Sequence, residues 1–276
     1  GYILFVDFHS HSTFSDGTFT PKELVKMAKD KNLQMFSITD HDNIDGQQEA
    51  FSAATSFGVD YIAGVEISCE YPTMLDMLGY GYSLGNKYLT ETLEELKKYR
   101  ISRNVMMIER LNSLGIEITL EEVAAQAGGD VIGRPHFARV MQNKGYVNTK
   151  EDAFEKYLGD DKPGYIRKKR LTPQAAIELI TLAGGVAVLA HPKYLNQDYT
   201  RFENLVKHLK EWGLWGMEVF YSKNSYSENV FFEEIALKYE LFITAGSDYH
   251  GANSIDVSLG MNVDTEKIIK TVQYFR

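Results

Sequence analysis

Five of the seven histidines in this chain, His9, His11, His41, His191 and His250, each fall just beyond a run of apolar residues. Three carboxylates, Asp16, Glu66 and Asp248, stand at similar places. His9 and His11 follow Tyr2-Ile3-Leu4-Phe5-Val6, which reads as a buried strand. Side chains two apart on a strand share a face, so the two rings point the same way and can hold one metal ion. Any one of these histidines alone reads as a hydrogen-bonded loop residue; five of them after five apolar runs read as a metal centre. Eight candidate ligands exceed the four of a tetrahedral ion, so two or three ions are expected. Imidazole and carboxylate without thiolate suit Zn²⁺, Mn²⁺ or Fe²⁺. Clustered ions of this kind bind phosphate oxygens, make hydroxide available near neutral pH and stabilise a leaving oxygen. Phosphoester hydrolysis is the reaction class that uses all three.

The elements that must position these groups alternate. Thr20-Pro21-Lys22-Glu23 is a helix start with a capping box. Met35–Thr39 reads as a second strand, 46–57 as a helix, Val59–Glu66 as a third strand ending on its carboxylate, and Asp76–Tyr82 as a fourth. From about Leu84 to Leu171 helical periodicity takes over, with Leu89, Leu93, Leu96, Ile101, Val105 and Ile108 at helical spacing. Thr119-Leu120-Glu121-Glu122 is another capping box, Gly128-Gly129 a helix stop, and Arg167–Arg170 a closing basic cluster. Strand and helix then alternate again: Thr172-Pro173 opens a helix, Gly185–His191 reads as a strand, Phe202 to Trp212 as an amphipathic helix, Gly216–Tyr221 as a strand, Phe231 to Tyr239 as a helix, and Leu241–Gly246 as the last strand. Such alternation implies a mostly parallel sheet, whose functional groups gather at the strands' C-terminal ends.

The chain has 276 residues, 44% hydrophobic and 24% charged, enough for a large globular core. No apolar run reaches the length of a membrane span. The start reads as lacking a signal peptide, and the single cysteine, Cys69, leaves no internal disulfide, so a cytoplasmic location is expected. A formal charge of −9 argues against coating duplex DNA.

The motifs His9-Ser10-His11, Ser15-Asp16-Gly17, Thr39-Asp40-His41-Asp42, Gly64-Val65-Glu66, Ala190-His191-Pro192 and Ser247-Asp248-Tyr249-His250 resemble those of the PHP (polymerase and histidinol phosphatase) family, in the family's order. The resemblance is closest to the stand-alone branch with a helical insertion, whose members hydrolyse 3′,5′-nucleotide bisphosphates or trim short RNA from its 5′ end. It implies an α/β fold, a distorted (β/α)7 barrel with a small helical insertion domain. The barrel would take residues 1–84 and 172–276, and the insertion 85–171. It also implies a trinuclear site: His9, His11, Glu66 and Asp248 on the first metal, Glu66 and His191 on the second, Asp16, His41 and His250 on the third, with a metal-bridging hydroxide attacking phosphorus. Where relatives carry a histidine just before Leu-Gly-Tyr, this chain has Asp76. Either aspartate ligates the second metal and favours harder cations such as Mn²⁺, or that position is weakened.

For substrate, Arg134 and His136 of the Arg134-Pro135-His136 motif are candidates for a phosphate or ribose clamp, or for a surface arginine and a capping histidine. Lys168 and Arg170 in the basic cluster, and Lys193 just past His191, are candidates for phosphate. The expected partner is a nucleotide or short RNA, not duplex DNA and not a membrane. Two other functions compete: a phosphatase for a small monoester such as histidinol phosphate, and a metal-bearing module that binds a phosphorylated ligand without turnover.

Overall fold

The computed structural model describes residues 2–127 and 131–276. The helix stop expected at Gly128-Gly129 lies outside the described residues. The chain packs as two compact units, one formed by Gly1–Glu91 with Arg170–Arg276 and the other by Thr92–Lys169.

The first unit carries all the strands. They are β1 (Ile3–Asp7), β2 (Met35–Phe36), β3 (Gly64–Ser68), β4 (Asp76–Tyr80), β5 (Val186–Leu189), β6 (Gly216–Tyr221), β7 (Phe242–Gly246) and β8 (Met261–Asp264). Its helices are α1 (Pro21–Asp30), α2 (Gln47–Phe57), the start of α3 (Lys87–Ser113), and, past the second unit, α7 (Pro173–Leu182), α8 (Tyr199–Glu211), α9 (Tyr226–Lys238) and α10 (Thr265–Phe275). The capping box at Thr20 forms, with Glu23 N donating to Thr20 Oγ1 at 3.1 Å. Thr172 caps α7 in the same way through Ala175 N. Each such cap satisfies a helix-end donor and is worth ~1 kcal/mol.

The strands form two sheets, ordered β2-β1-β8 and β3-β4-β5-β6-β7. The pairings are half parallel and half antiparallel, where the sequence reading expects a mostly parallel sheet. β1 with β2, and β5 with β6 and β7, are parallel; β3 with β4, β4 with β5, and β1 with β8 are antiparallel. For β3 with β4 the reason lies in connection length. Only a short loop joins β3 to β4, and a parallel crossover needs about a dozen residues or more. Isolated parallel bridges pair Phe36 with Tyr61 and His41 with Glu66, between the segments after β2 and the β3 region. On the other side, Phe8 N donates to Ala245 O at 2.9 Å and Ser10 bridges Tyr249.

Other boundaries differ from the sequence reading. The apolar run at the start is not buried throughout: Tyr2 and Ile3 are exposed. Glu66 sits in the middle of β3 rather than at its end. β8 and α10 are additions to the sequence reading; β8 is only four residues long, while α10 is amphipathic and buries Ile268, Thr271 and Val272. The core of this unit packs Val6, Phe8, Leu78, Tyr80 and Val188 between the sheets and α10, and Leu24, Val25, Phe36 and Ala50 beneath α1 and α2.

The second unit is helical: the rest of α3, α4 (Leu120–Ala124), α5 (Arg134–Asn143) and α6 (Lys150–Ala153), which runs into a π-helical turn at Phe154–Leu158. Met107, Leu111, Phe137, Met141 and Leu158 form its own buried core.

Candidate metal centre

The five histidines meet in the first unit. Beyond β1 the chain stays extended, so His9 and His11 present rings 5.2 Å apart on one side. The tight turn after His11 is closed by Gly17 N donating to Ser12 O at 2.9 Å. A Cβ on Gly17 would run into the His11 carbonyl, so glycine is what lets Asp16 fold back toward the rings. Asp40 pins the same turn, accepting from Ser12 N at 2.8 Å and from Ser12 Oγ at 2.6 Å. Asp248 follows β7 with φ 60°, and His191 follows β5 with φ 21°. Positive φ at residues other than glycine costs ~1–3 kcal/mol and persists only where the surroundings enforce it. Here Asp248 N donates to His9 O at 2.8 Å, and His191 N donates to Glu218 Oε1 at 2.8 Å. Asp76 begins β4. Because β4 runs antiparallel, its first residue lies at the same end of the sheet as the last residue of β5, and Ala190 N donates to Asp76 O at 3.1 Å.

The side chains fall into three groups whose nitrogen and oxygen atoms lie within 4.8 Å of one another: His9, His11, Glu66 and Asp248; Glu66, Asp76 and His191; and His11, Asp16, His41 and His250. Glu66 is the hub. Its Oε1 lies 3.2 Å from His9 Nε2, 3.1 Å from His11 Nε2 and 3.3 Å from His41 Nδ1, and its Oε2 lies 3.0 Å from His191 Nε2. Asp248 Oδ1 lies 3.2 Å from His9 Nε2 and 3.0 Å from His11 Nε2. Asp16 reaches His250 Nε2 at 3.1 Å and His41 Nε2 at 3.4 Å. Asp76 Oδ2 is 3.4 Å from His191 Nε2.

Without cations these groups titrate against one another. Burial opposes charge on His9, yet Glu218, Asp248 and Glu66 outweigh it and hold the ring well above the ordinary imidazole range. Against the same cost of burial, Asp16 and Glu66 carry His41 up to about 9, and Glu66 and Asp76 carry His191 to about 9. Burial also works to raise Asp16, Glu66 and Asp248, but the facing imidazoles hold all three carboxyls well below the usual range. Asp76 goes the other way: burial and the neighbouring Glu66 push it up to about 6.

The donor set fits divalent cations on a second ground. His11 Nε2 and Asp248 Oδ1 are buried and 3.0 Å apart, yet neither has a directed hydrogen-bond partner among the described residues, and His191 Nδ1 lacks one as well. A buried polar atom left so costs ~1–3 kcal/mol. Atoms that crowd together without aiming at each other are arranged for a shared third partner. Imidazole and carboxylate without thiolate match Zn²⁺, Mn²⁺ or Fe²⁺. Cys69 is buried and belongs to none of the three groups.

The candidate substrate residues are placed differently. Arg134 is engaged within the helical unit: its Nη1 donates to Asp160 Oδ1 at 2.8 Å and to Leu158 O at 3.0 Å, and its guanidinium lies 4.4 Å from the centre of the Tyr165 ring. His136 caps its helix, accepting from Gly133 N through Nδ1 at 2.8 Å. Lys168 is half-buried in the same unit. Arg170, in the strand-bearing unit, keeps a buried Nε without a hydrogen-bond partner among the described residues. Lys193 donates to Lys223 O at 2.6 Å and pairs with Glu228 at 3.3 Å.

Two neighbours of the centre are absent from the ligand set expected from the sequence. Glu218 lies in the middle of β6, fully buried, 2.8 Å from His9 Nδ1. Tyr221 donates from its hydroxyl to Asp248 Oδ2 at 2.8 Å. The one available signal was a carboxylate inside the apolar run Gly216-Met217-Glu218-Val219-Phe220-Tyr221.

The chain is similar to known proteins along most of its length. The family model described as PHP domain matches residues 7–229. A 5′-3′ exoribonuclease from Haemophilus influenzae is 32% identical over 259 residues, covering 94% of each chain. A 3′,5′-nucleoside bisphosphate phosphatase from Chromobacterium violaceum is 29% identical, over 97% of this chain and 94% of its own. A solved structure from Bifidobacterium adolescentis, provisionally named a metal-dependent phosphoesterase, superposes with a TM-score of 0.82 at 30% identity, over 98% of this chain and 94% of its own. With its motifs in order and these relatives matched nearly end to end, this chain belongs to the PHP domain family.

Proposed function

We propose that this PHP-family hydrolase cleaves phosphate esters of nucleotides, with 3′,5′-nucleotide bisphosphates and short 5′-phosphorylated RNA as its substrates, at a centre of two or three divalent cations. The observation that carries the reading is the sharing of Glu66 and His11 between buried and half-buried clusters of imidazole and carboxylate. His9, His11, Glu66 and Asp248 would hold one ion, Glu66, Asp76 and His191 a second, and His11, Asp16, His41 and His250 a third. Bound there, the ions would supply positive charge for phosphate oxygens and let water ionise near neutral pH.

The rest of the work belongs to the chain. Burial of His9, His11 and Glu66 keeps bulk water from their ligating atoms. Tyr221 holds Asp248 Oδ2, which leaves Oδ1 turned toward His9 and His11. The buried Nε of Arg170 and the ammonium of Lys193 are the phosphate contacts available in the strand-bearing unit. The helical unit Thr92–Lys169 answers to the insertion domain. The bridges between the two sheets support reading the strand-bearing unit as a distorted (β/α)7 barrel. A net charge of −9 suits a small substrate in the cytoplasm rather than duplex DNA. Among the described residues no helix is long and apolar enough to cross a membrane.

Metal analysis joined to hydrolysis assays tests this. Two or three ions per chain are expected, with Mn²⁺-supported release of phosphate from adenosine 3′,5′-bisphosphate and of nucleotides from short 5′-phosphorylated RNA. Turnover of histidinol phosphate alone would replace the nucleotide substrate with a small monoester. Fewer than two ions and no turnover would leave only a binding module.

A further inference from the structure

We propose that Glu218 is a positioning residue that sets the tautomer of His9 and the backbone of His191 together, and so ties two of the clusters to one side chain. The inference rests on the metal reading above. Its two oxygens have separate tasks: Oε2 lies 2.8 Å from His9 Nδ1, and Oε1 accepts from the His191 backbone N–H at 2.8 Å. A carboxylate only accepts, so the neutral His9 ring, the form that can ligate, carries its proton on Nδ1. The lone pair is then on Nε2, the atom that faces Glu66 Oε1 and Asp248 Oδ1, each at 3.2 Å. The second bond holds the φ of 21° at His191, whose ring serves the cluster with Glu66 and Asp76. Glu218 itself belongs to none of the three clusters.

The space for this arrangement is built in. A Cβ added to Gly246 on β7 would collide with both Glu218 Oε2 and His9 Cβ. Neither could move aside cheaply, since one is the hydrogen-bonding atom and the other is fixed to the backbone. Gly246 is therefore the vacancy through which the carboxylate reaches the ring. Carboxylates behind metal-binding imidazoles fix ring orientation in this way, and their loss lowers metal affinity ~10–100-fold.

Glu218→Gln is the discriminating variant because it keeps the shape and reverses one partner. An amide offers one acceptor and one donor. If its oxygen keeps the His191 N–H, its NH₂ faces His9 Nδ1 and drives the proton to Nε2, where it blocks ligation. If its oxygen keeps His9, its NH₂ meets the His191 N–H donor to donor. Zn²⁺ titration against a chromophoric chelator should show affinity ~10–100-fold weaker in E218Q, with an unchanged circular dichroism spectrum. In the Zn²⁺-loaded wild-type protein, ¹H–¹⁵N imidazole correlation should show a slowly exchanging proton on His9 Nδ1. Wild-type affinity in E218Q would overturn the inference. So would a wild-type His9 protonated on Nε2, which is read without any variant and decides the matter if E218Q does not fold. A wild-type protein that takes up no Zn²⁺ would instead refute the metal reading itself.

Discussion

Glu66→Gln is the perturbation with the most quantitative consequence. Glu66 belongs to two of the three clusters, while the group of His11, Asp16, His41 and His250 is complete without it. An amide at this place keeps the volume but loses the negative charge and one of the two acceptor oxygens. The metal content should therefore fall from two or three ions per chain to one, held by the surviving cluster. Charge stabilisation by a catalytic ion is worth several kcal/mol, so losing even ~3–4 kcal/mol lowers kcat by about 100- to 1000-fold.

The metal-free protein answers separately. Four imidazoles lie 3.0–3.3 Å from the Glu66 oxygens, and removing one partner of a buried ion pair costs ~3–5 kcal/mol. Part of this returns, because Asp76, pushed up to about 6 by burial and then by Glu66, is relieved of that neighbouring charge. The backbone bonds at this position, Glu66 N to Asp40 O at 3.0 Å and Asp42 N to Glu66 O at 2.8 Å, do not involve the side chain, so the sheet survives. Metal analysis after gel filtration, steady-state kinetics with added Mn²⁺, and thermal unfolding in chelator read the three effects. An E66Q protein that keeps the wild-type number of ions and turns over within threefold of the wild-type rate would refute the hub role.

Tyr221→Phe removes the donor to Asp248 Oδ2; a hydrogen bond to a charged group is worth ~1.5–3 kcal/mol, so Mn²⁺ affinity should drop ~10- to 100-fold with little change in melting temperature. Arg134→Ala breaks the links to Asp160, Leu158 and Tyr165, and should loosen the helical unit by ~1–2 kcal/mol, read as faster amide exchange there; a raised KM for adenosine 3′,5′-bisphosphate without that loosening would make Arg134 a substrate clamp instead. In the metal-free protein His41 and His191 titrate near 9, above the unfolded imidazole value of ~6.5. Their contribution to stability is full below pH ~6.5 and is lost as pH rises toward 9, so urea midpoints in chelator should decline across that window, and a midpoint that rises would contradict the ring–carboxylate pairing.

Much of this centre was legible as sequence, because period-two alternation and an abrupt end to an apolar run are local signals. His9 and His11 show the first, and His191 and Asp248 show the second. What stayed hidden depended on contacts between distant segments. Glu218 is 209 positions from His9, and only the folded sheet brings them together. Glu66 was read as a strand end because Gly64-Val65-Glu66 closes an apolar stretch, whereas its pairing with Leu78 of β4 carries the strand on to Ser68. The antiparallel pairing of β3 with β4 could have been anticipated from the short loop between them. β8 pairs with β1 through Met261–Asp264, a segment of alternating burial too short to stand out. Arg134 shows the converse limit: residue type suggests an anion partner, but the fold supplies the Asp160 carboxylate and the Leu158 carbonyl.

The balance of charge explains why so many acids and imidazoles tolerate one another in the buried centre. Asp16, Glu66, Asp76 and Asp248 line the clusters and Glu218 backs His9, which makes five potential negative charges facing five imidazoles. In the metal-free protein protonated rings answer those charges, which is why the imidazoles titrate high and Asp16, Glu66 and Asp248 titrate low. A ring can ligate only when neutral, so each ion that enters must displace protons. Two divalent ions bring four positive charges and leave the centre slightly negative; three bring six and leave it slightly positive. A phosphate ester carrying negative charge would thus be repelled by a centre holding two ions and attracted by one holding three. Asp76 adds to this logic. An aspartate in place of a neutral imidazole contributes one more negative charge to the second cluster, so a third ion would matter more to binding such an ester here than it would with histidine at that position.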